Sequence, residues 1–100
     1  MNEKLLEKKL RDGVKKLGGL SLKFSSPSFT GVPDRISLWP SGMMDFVELK
    51  TTGRPLSLRQ KIVFVDLEEL GFPVTVIDSQ EKLTIYLENK AHSMLNHSDL

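Results

Sequence analysis

The 100-residue sequence contains no cysteine, which excludes disulfides and thiolate metal sites and suits a reducing compartment such as the cytoplasm. Histidine is nearly as scarce. The only two, His92 and His97, stand close together near the C-terminus, away from any acid-rich motif, which argues against histidine-ligated zinc hydrolysis. No apolar run approaches the ~20 residues of a transmembrane helix, so no membrane span is expected. The opening MNEKLLEKKL is amphipathic and contains acids but no apolar core, so it does not read as a secretory signal. Neither charge sign dominates, with 14 Lys and Arg against 13 Asp and Glu. Hydrophobic and charged fractions of 39% and 27% are those of a soluble globular domain and exclude a disordered chain.

The near-zero net charge hides an asymmetry. Residues 1–61 hold 12 of the 14 basic residues against 6 acids, whereas residues 62–100 hold 2 against 7. A basic front suits a polyanion such as nucleic acid, although ordinary solvated helix faces would give the same count.

At this length one domain is expected, over residues 1–91, with residues 92–100 a patternless, frayed tail. Leu6, Leu10, Val14 and Leu17 recur at helical spacing, so residues 2–17 read as an amphipathic helix that Gly18-Gly19 ends. Leu20–Phe24 alternates as a strand does, and a Ser/Pro/Gly loop follows. Strands near Arg35–Trp39 and Met44–Lys50 flank a turn at Pro40–Gly42 and form a hairpin. Ser57 and Gln60 have capping-box spacing and open a helix to about Leu70, with Gly71 beyond it. Val74–Asp78 is a β-branched strand, and Ser79 caps a last helix to about Asn89. The order α-β-β-β-α-β-α describes an α/β fold with a mixed sheet flanked by helices.

The hairpin carries the chemistry. If Trp39 pairs with Met43 or Met44, Asp34 falls opposite Glu48 or Leu49. Opposed carboxylates have Cβ atoms roughly 4.5–5.5 Å apart and repel unless a cation lies between them. Lys50 stands two residues beyond Glu48 and therefore shares its face, while Val47 and Leu49 point into a core. Such oxygen donors suit Mg²⁺ or Mn²⁺, and a lysine beside them can orient an attacking water or offset charge on a phosphate.

"GVPDRISL…FVELK" resembles the Pro-Asp…Glu-x-Lys signature of the PD-(D/E)XK (restriction-endonuclease-like) nucleases, whose core order is α-β-β-β-α-β. The closer likeness is to the VRR-NUC family in its short stand-alone phage and bacterial form. "LEKKL…VKKLGGLSLKF", "GVPDR", "FVELK", "LSLRQ" and "ELGFPVTVIDS" stand in that order across residues 5–79. The resemblance implies that Asp34, Glu48 and the Leu49 carbonyl bind Mg²⁺ or Mn²⁺, with Lys50 the catalytic lysine. It also implies that Glu7 approaches the metal and that Gln60 belongs to the site. Helix periodicity does not separate Glu7 from Glu3, since both fall beside the apolar stripe. Lys23, Ser26, Arg35 and Ser57 are expected near the DNA phosphate or the site.

The implied function is that of a metal-dependent, structure-selective DNA endonuclease, a homodimeric Holliday-junction resolvase acting in a bacterial host cytoplasm. Alternatives are a flap or branched-DNA nuclease, a nuclease subunit beside a helicase, and a non-catalytic DNA-binding module on the same fold. The lysines and Arg11 of the first helix read more readily as solvated charges than as a DNA footprint. Trp39, Pro40, Met43 and Met44 make an apolar hairpin tip, expected to be buried or to contact a second copy.

Overall fold

In the computed structural model, which describes residues 2–98, the elements follow the expected order. They are α1 (Glu3–Lys16), β1 (Leu20–Lys23), β2 (Arg35–Trp39), β3 (Met43–Leu49), α2 (Leu58–Glu69), β4 (Val74–Ile77) and α3 (Gln80–Ser98). Asn2 caps α1 by accepting the Leu5 N–H at 2.8 Å. The capping box of α2 is present in full, with Ser57 accepting from Gln60 and Gln60 accepting from Ser57.

The four strands lie in the order β1-β2-β3-β4, antiparallel except that β4 runs parallel to β3. Trp39 pairs with Met43 and Arg35 with Val47, which selects the register that sets Asp34 against Glu48. A three-residue turn, Pro40–Gly42, closes the hairpin, with Ser41 and Gly42 at φ 72° and 78°. Strand alternation then divides the sheet into two faces. One face packs Trp39, Val47, Leu49 and Ile77 against Leu6, Leu10 and Val14 of α1 and Leu83 and Tyr86 of α3. Burial of these side chains is the main source of stability, at ~1.5–3 kcal/mol each before entropy is counted. Helix α1 meets α3 so closely that a Cβ on Gly13 would stand 2.4 Å from Leu87 Cδ1, so any side chain there requires Leu87 to move.

The other face is only partly covered. Helix α2 buries Val63 and Phe64 on the β4 side, and Phe46 packs edge-on against Phe72 at 6.4 Å. Toward β1 the apolar rows Leu20–Leu38–Met44 and Leu22–Ile36–Phe46 lie in register. Leu20, Leu22, Leu38 and Met44 remain 55, 43, 38 and 42% exposed.

One expectation needs correction. Helix α3 does not stop near Asn89, and residues 92–98 are not a frayed tail but its continuation. Met94 extends the inward stripe of Leu83 and Leu87 and packs on the core, and no Gly or Pro interrupts the chain after Pro73. The hairpin tip is split between faces. Trp39 is buried and Met43 packs on the core, whereas Met44 points to the open face. The Trp39 indole N–H and the Tyr86 hydroxyl both donate to Asp45, and Lys90 Nζ lies 3.4 Å from the same carboxylate, which ties α3 to the hairpin.

Candidate active site

The site forms where β2 and β3 leave the sheet. The Asp34 amide donates to Glu48 Oε1 at 3.1 Å, and the Leu49 amide donates to Asp34 Oδ1 at 3.2 Å. Each carboxylate is therefore fixed by the other strand's backbone. Burial, reinforced by the Glu48 charge, raises the Asp34 carboxyl to about 6. Burial also raises Glu48, although Lys50, the Asp34 amide and Gln60 pull the other way. Lys50 Nζ stands 3.5 Å from Glu48 Oε2, the nearest cation to the pair.

Gln60 performs both roles open to it in the sequence. Its Oε1 accepts the Ser57 N–H at 2.9 Å, and its Nε2 donates to Glu48 Oε2 at 3.0 Å. One side chain closes the helix cap and holds a site carboxylate. The loop before β2 is pressed onto the same helix at Gly31, whose φ of +87° and 2.8 Å approach to Arg59 Cγ leave no room for a side chain. Phe29 and the Arg59 guanidinium stack 5.0 Å apart beside it.

A pocket of about 310 Å³ opens beside Asp34, lined by Glu3, Glu7, Lys23, Phe24, Ser25 and Arg35. Lys23 is exposed at this pocket, as a phosphate contact requires. Glu7 reaches the pocket, but its carboxylate lies 3.6 Å from the Arg35 guanidinium. Glu3 is the acid whose charge adds to the rise at Asp34. Among the described residues no three Asp, Glu or His side chains gather as a metal-ligating set. Asp34 and Glu48 thus form a pair, with Glu3 and Glu7 at the rim.

The other three residues expected near the phosphate or the site make internal contacts, with Arg35 lining the pocket and Ser57 bonded to Gln60, which holds Glu48. Arg35 is not at the surface: it is 3% exposed, with Nε donating to Ser21 Oγ at 3.0 Å and a second nitrogen donating to the Ser21 carbonyl at 3.2 Å. A guanidinium bonded to a buried serine's hydroxyl and carbonyl, with the partly exposed Glu7 carboxylate beside it, is satisfied internally, so it shapes the pocket instead of reaching outward. Ser57 spends its hydroxyl on the helix cap. Ser26 closes a loop turn through its carbonyl, which accepts the Phe29 N–H, and its neighbour Ser25 lines the pocket. Ser25 was missed as a site residue, and Glu3, weighed against Glu7 in the sequence, lines the pocket beside it. Glu3 had a signal in its spacing of one helical turn from Glu7; Ser25, in an irregular loop, had none.

The motif order, the register and this carboxylate pair converge with comparison to known proteins. The VRR-NUC domain family model matches residues 1–81. The chain belongs to the VRR-NUC family. A protein of Acyrthosiphon pisum secondary endosymbiont phage 1, named "Putative nuclease p44", is 40% identical over 85 residues, covering 85% of this chain and 91% of that one. A solved VRR-NUC domain structure superposes with a TM-score of 0.80 at 26% identity, covering 86% of this chain and 94% of the other. The protein is accordingly a nuclease domain of the VRR-NUC type with a restriction-endonuclease-like fold, and among its described residues no helix is long and apolar enough to cross a membrane.

Proposed function

We propose that this VRR-NUC domain is a metal-dependent, structure-selective DNA endonuclease that hydrolyses phosphodiester bonds in four-way (Holliday) junctions as a homodimer. The observation that carries the reading is the Asp34–Glu48 pair with Lys50 beside it. A partly buried carboxylate and a buried one, both pushed toward their protonated forms, present oxygen donors alone, which fits a hard divalent cation such as Mg²⁺ or Mn²⁺. Asp34, Glu48 and the Leu49 carbonyl would hold it. When bound, the cation supplies a water of lowered pKa and a counter-charge for the phosphoryl oxygens. Lys50 would add a second positive charge at the scissile phosphate, and it opposes the rise that burial causes at Glu48. Gln60 fixes the orientation of Glu48, and Lys23 meets the DNA backbone at the pocket mouth.

The open sheet face supports the dimer. Its two apolar rows carry no charged side chain, which disfavours contact with a polyanion and favours another apolar surface. Asp34 and Glu48 share that face with Ile36, Leu38, Met44 and Phe46 by strand alternation, at one end of the rows. A two-fold contact would pack the rows of one copy on those of the next and hold two acid pairs in a fixed relation, as paired cuts in a symmetric junction require.

The test is incubation of purified protein with labelled four-way junction, flap, linear duplex and single-stranded DNA, each with Mg²⁺, Mn²⁺ or a chelator. Metal-dependent cutting of the junction in preference to duplex, abolished in Lys50→Ala, is expected. Cutting in chelator, or at an undiminished rate by Lys50→Ala, overturns the mechanism; preference for flaps moves the substrate to another branched class. Junction binding without cleavage under any metal would make the domain a DNA-binding module.

A further inference from the structure

The catalytic reading leaves unused a second groove, about 440 Å³, between α1 and the edge strand β1. Its walls are Lys8, Arg11, Asp12 and Lys15 on the helix and Gly19, Leu20 and Ser21 on the strand. At about 100° per residue, Lys8, Arg11 and Lys15 lie on the same flank of the apolar stripe as Glu7, whereas Lys9 and Lys16 lie on the other. Lys9 is turned toward α3, donating to Gln80 Oε1 at 2.8 Å. Three exposed cations thus face one acid, Asp12, which pairs with Lys8 at 2.9 Å and leaves Arg11 and Lys15 to set the sign of the groove.

The strand wall is also suited to anions. Phe24 N–H bonds the Asp34 carbonyl at 2.8 Å, and antiparallel alternation then turns the amides of Ser21 and Lys23 to the free edge of the sheet. The linings of the groove and of the candidate active site are neighbours. Arg35, which lines the catalytic pocket, donates to Ser21, which lines the groove, and Lys8 follows Glu7 on α1. From Glu7 to Lys15 the helix rises about 12 Å, a length in which one DNA strand presents about three phosphates.

We infer that the α1–β1 groove is a phosphate track that carries one DNA strand into the Asp34–Glu48 site, with Arg11 and Lys15 as its principal contacts. This rests on DNA being the ligand of the proposed function. Contacts made to phosphates fix position along the strand without reading sequence.

Dissociation constants for a labelled four-way junction, measured in chelator over a range of salt, test it. Arg11→Gln/Lys15→Gln should weaken binding about tenfold or more at 0.1 M salt and lower the slope of log K against log salt by about 1.4–1.8. Lys15→Gln alone should lower the slope by about half that amount. Lys9→Gln/Lys16→Gln removes the same charge from the same helix and should leave slope and affinity near wild type. Circular dichroism and thermal midpoints confirm that each variant is folded. Equal losses in both double variants, or none in Arg11→Gln/Lys15→Gln, overturn the track, and the latter outcome with cleavage intact leaves the nuclease reading standing. Groove-dependent binding with no cleavage under Mg²⁺ or Mn²⁺ does the reverse.

Discussion

Gln60 joins the cap of helix α2 to the candidate metal site, because its side-chain amide donates to Glu48 Oε2 at 3.0 Å while its carbonyl accepts from Ser57 at 2.9 Å. Removing either partner of the capping box should cost about 1 kcal/mol of stability. Only one of them should affect catalysis. Ser57→Ala is expected to lower the melting midpoint and keep the cleavage rate at saturating DNA, whereas Gln60→Ala lowers the midpoint similarly and slows single-turnover cleavage by about tenfold or more. Equal rates in the two variants would reduce Gln60 to a capping residue.

The raised Asp34 carboxyl gives a pH dependence whose sign is fixed. With a folded pKa of about 6 against an ordinary value of 3.8, the folded state binds this proton more tightly than the unfolded chain does. Its contribution to stability is therefore complete below pH ~4 and is lost as pH rises through ~6. Because Asp34 is partly exposed, solvent screening trims the effect to about 1 kcal/mol. Asp34→Asn keeps an oxygen for the Leu49 amide and removes the charge, so metal-free protein carrying it should be more stable than wild type at pH 7 and equal to it near pH 4. Denaturant titrations at the two pH values measure the difference.

Much of this site was legible in the sequence because hairpin geometry is local. The turn and the strand period of two fix which residues oppose, so Asp34, Glu48 and Lys50 follow once the register is chosen; capping-box spacing gives Gln60 its place in the helix cap, and only the family resemblance places it at the site. What was not legible depends on partners distant in sequence. The burial of Arg35 needs Ser21 from the neighbouring strand and Glu7 from α1, and the binding of Asp45 to Tyr86 spans 41 positions. The reach of α3 past Asn89 likewise depends on Met94 finding the core, since residues 92–98 have little helical pattern of their own.

Arg35 then carries a prediction that distinguishes support from DNA contact. Its guanidinium bonds Ser21 twice and lies beside Glu7 in a buried setting, so Arg35→Met strands a hydroxyl, a carbonyl and a carboxylate and should cost about 3 kcal/mol. Arg35→Lys cannot reproduce the forked geometry and should recover only part of it. A surface phosphate contact would behave otherwise, with stability unchanged and affinity reduced in both variants, and urea melts beside binding measurements separate the cases.

The open face makes the dimer accessible to a single substitution. Leu38 sits between Leu20 and Met44 in register at the centre of the uncharged rows, 38% exposed and without a role in the opposite core. Leu38→Glu places a carboxylate where a second copy would bury it. Desolvating an unpaired charge costs several kcal/mol, enough to separate two copies, whereas a water-facing glutamate leaves the monomer within about 1 kcal/mol of wild type. Sedimentation of the wild type should show a dimer and that of Leu38→Glu a monomer with native circular dichroism, and junction cleavage should fall with dimer content. A charge on the opposite flank, such as Lys16→Glu, should leave the dimer intact. If Leu38→Glu sediments as the wild type does, the two copies meet elsewhere, and the open apolar face has another partner.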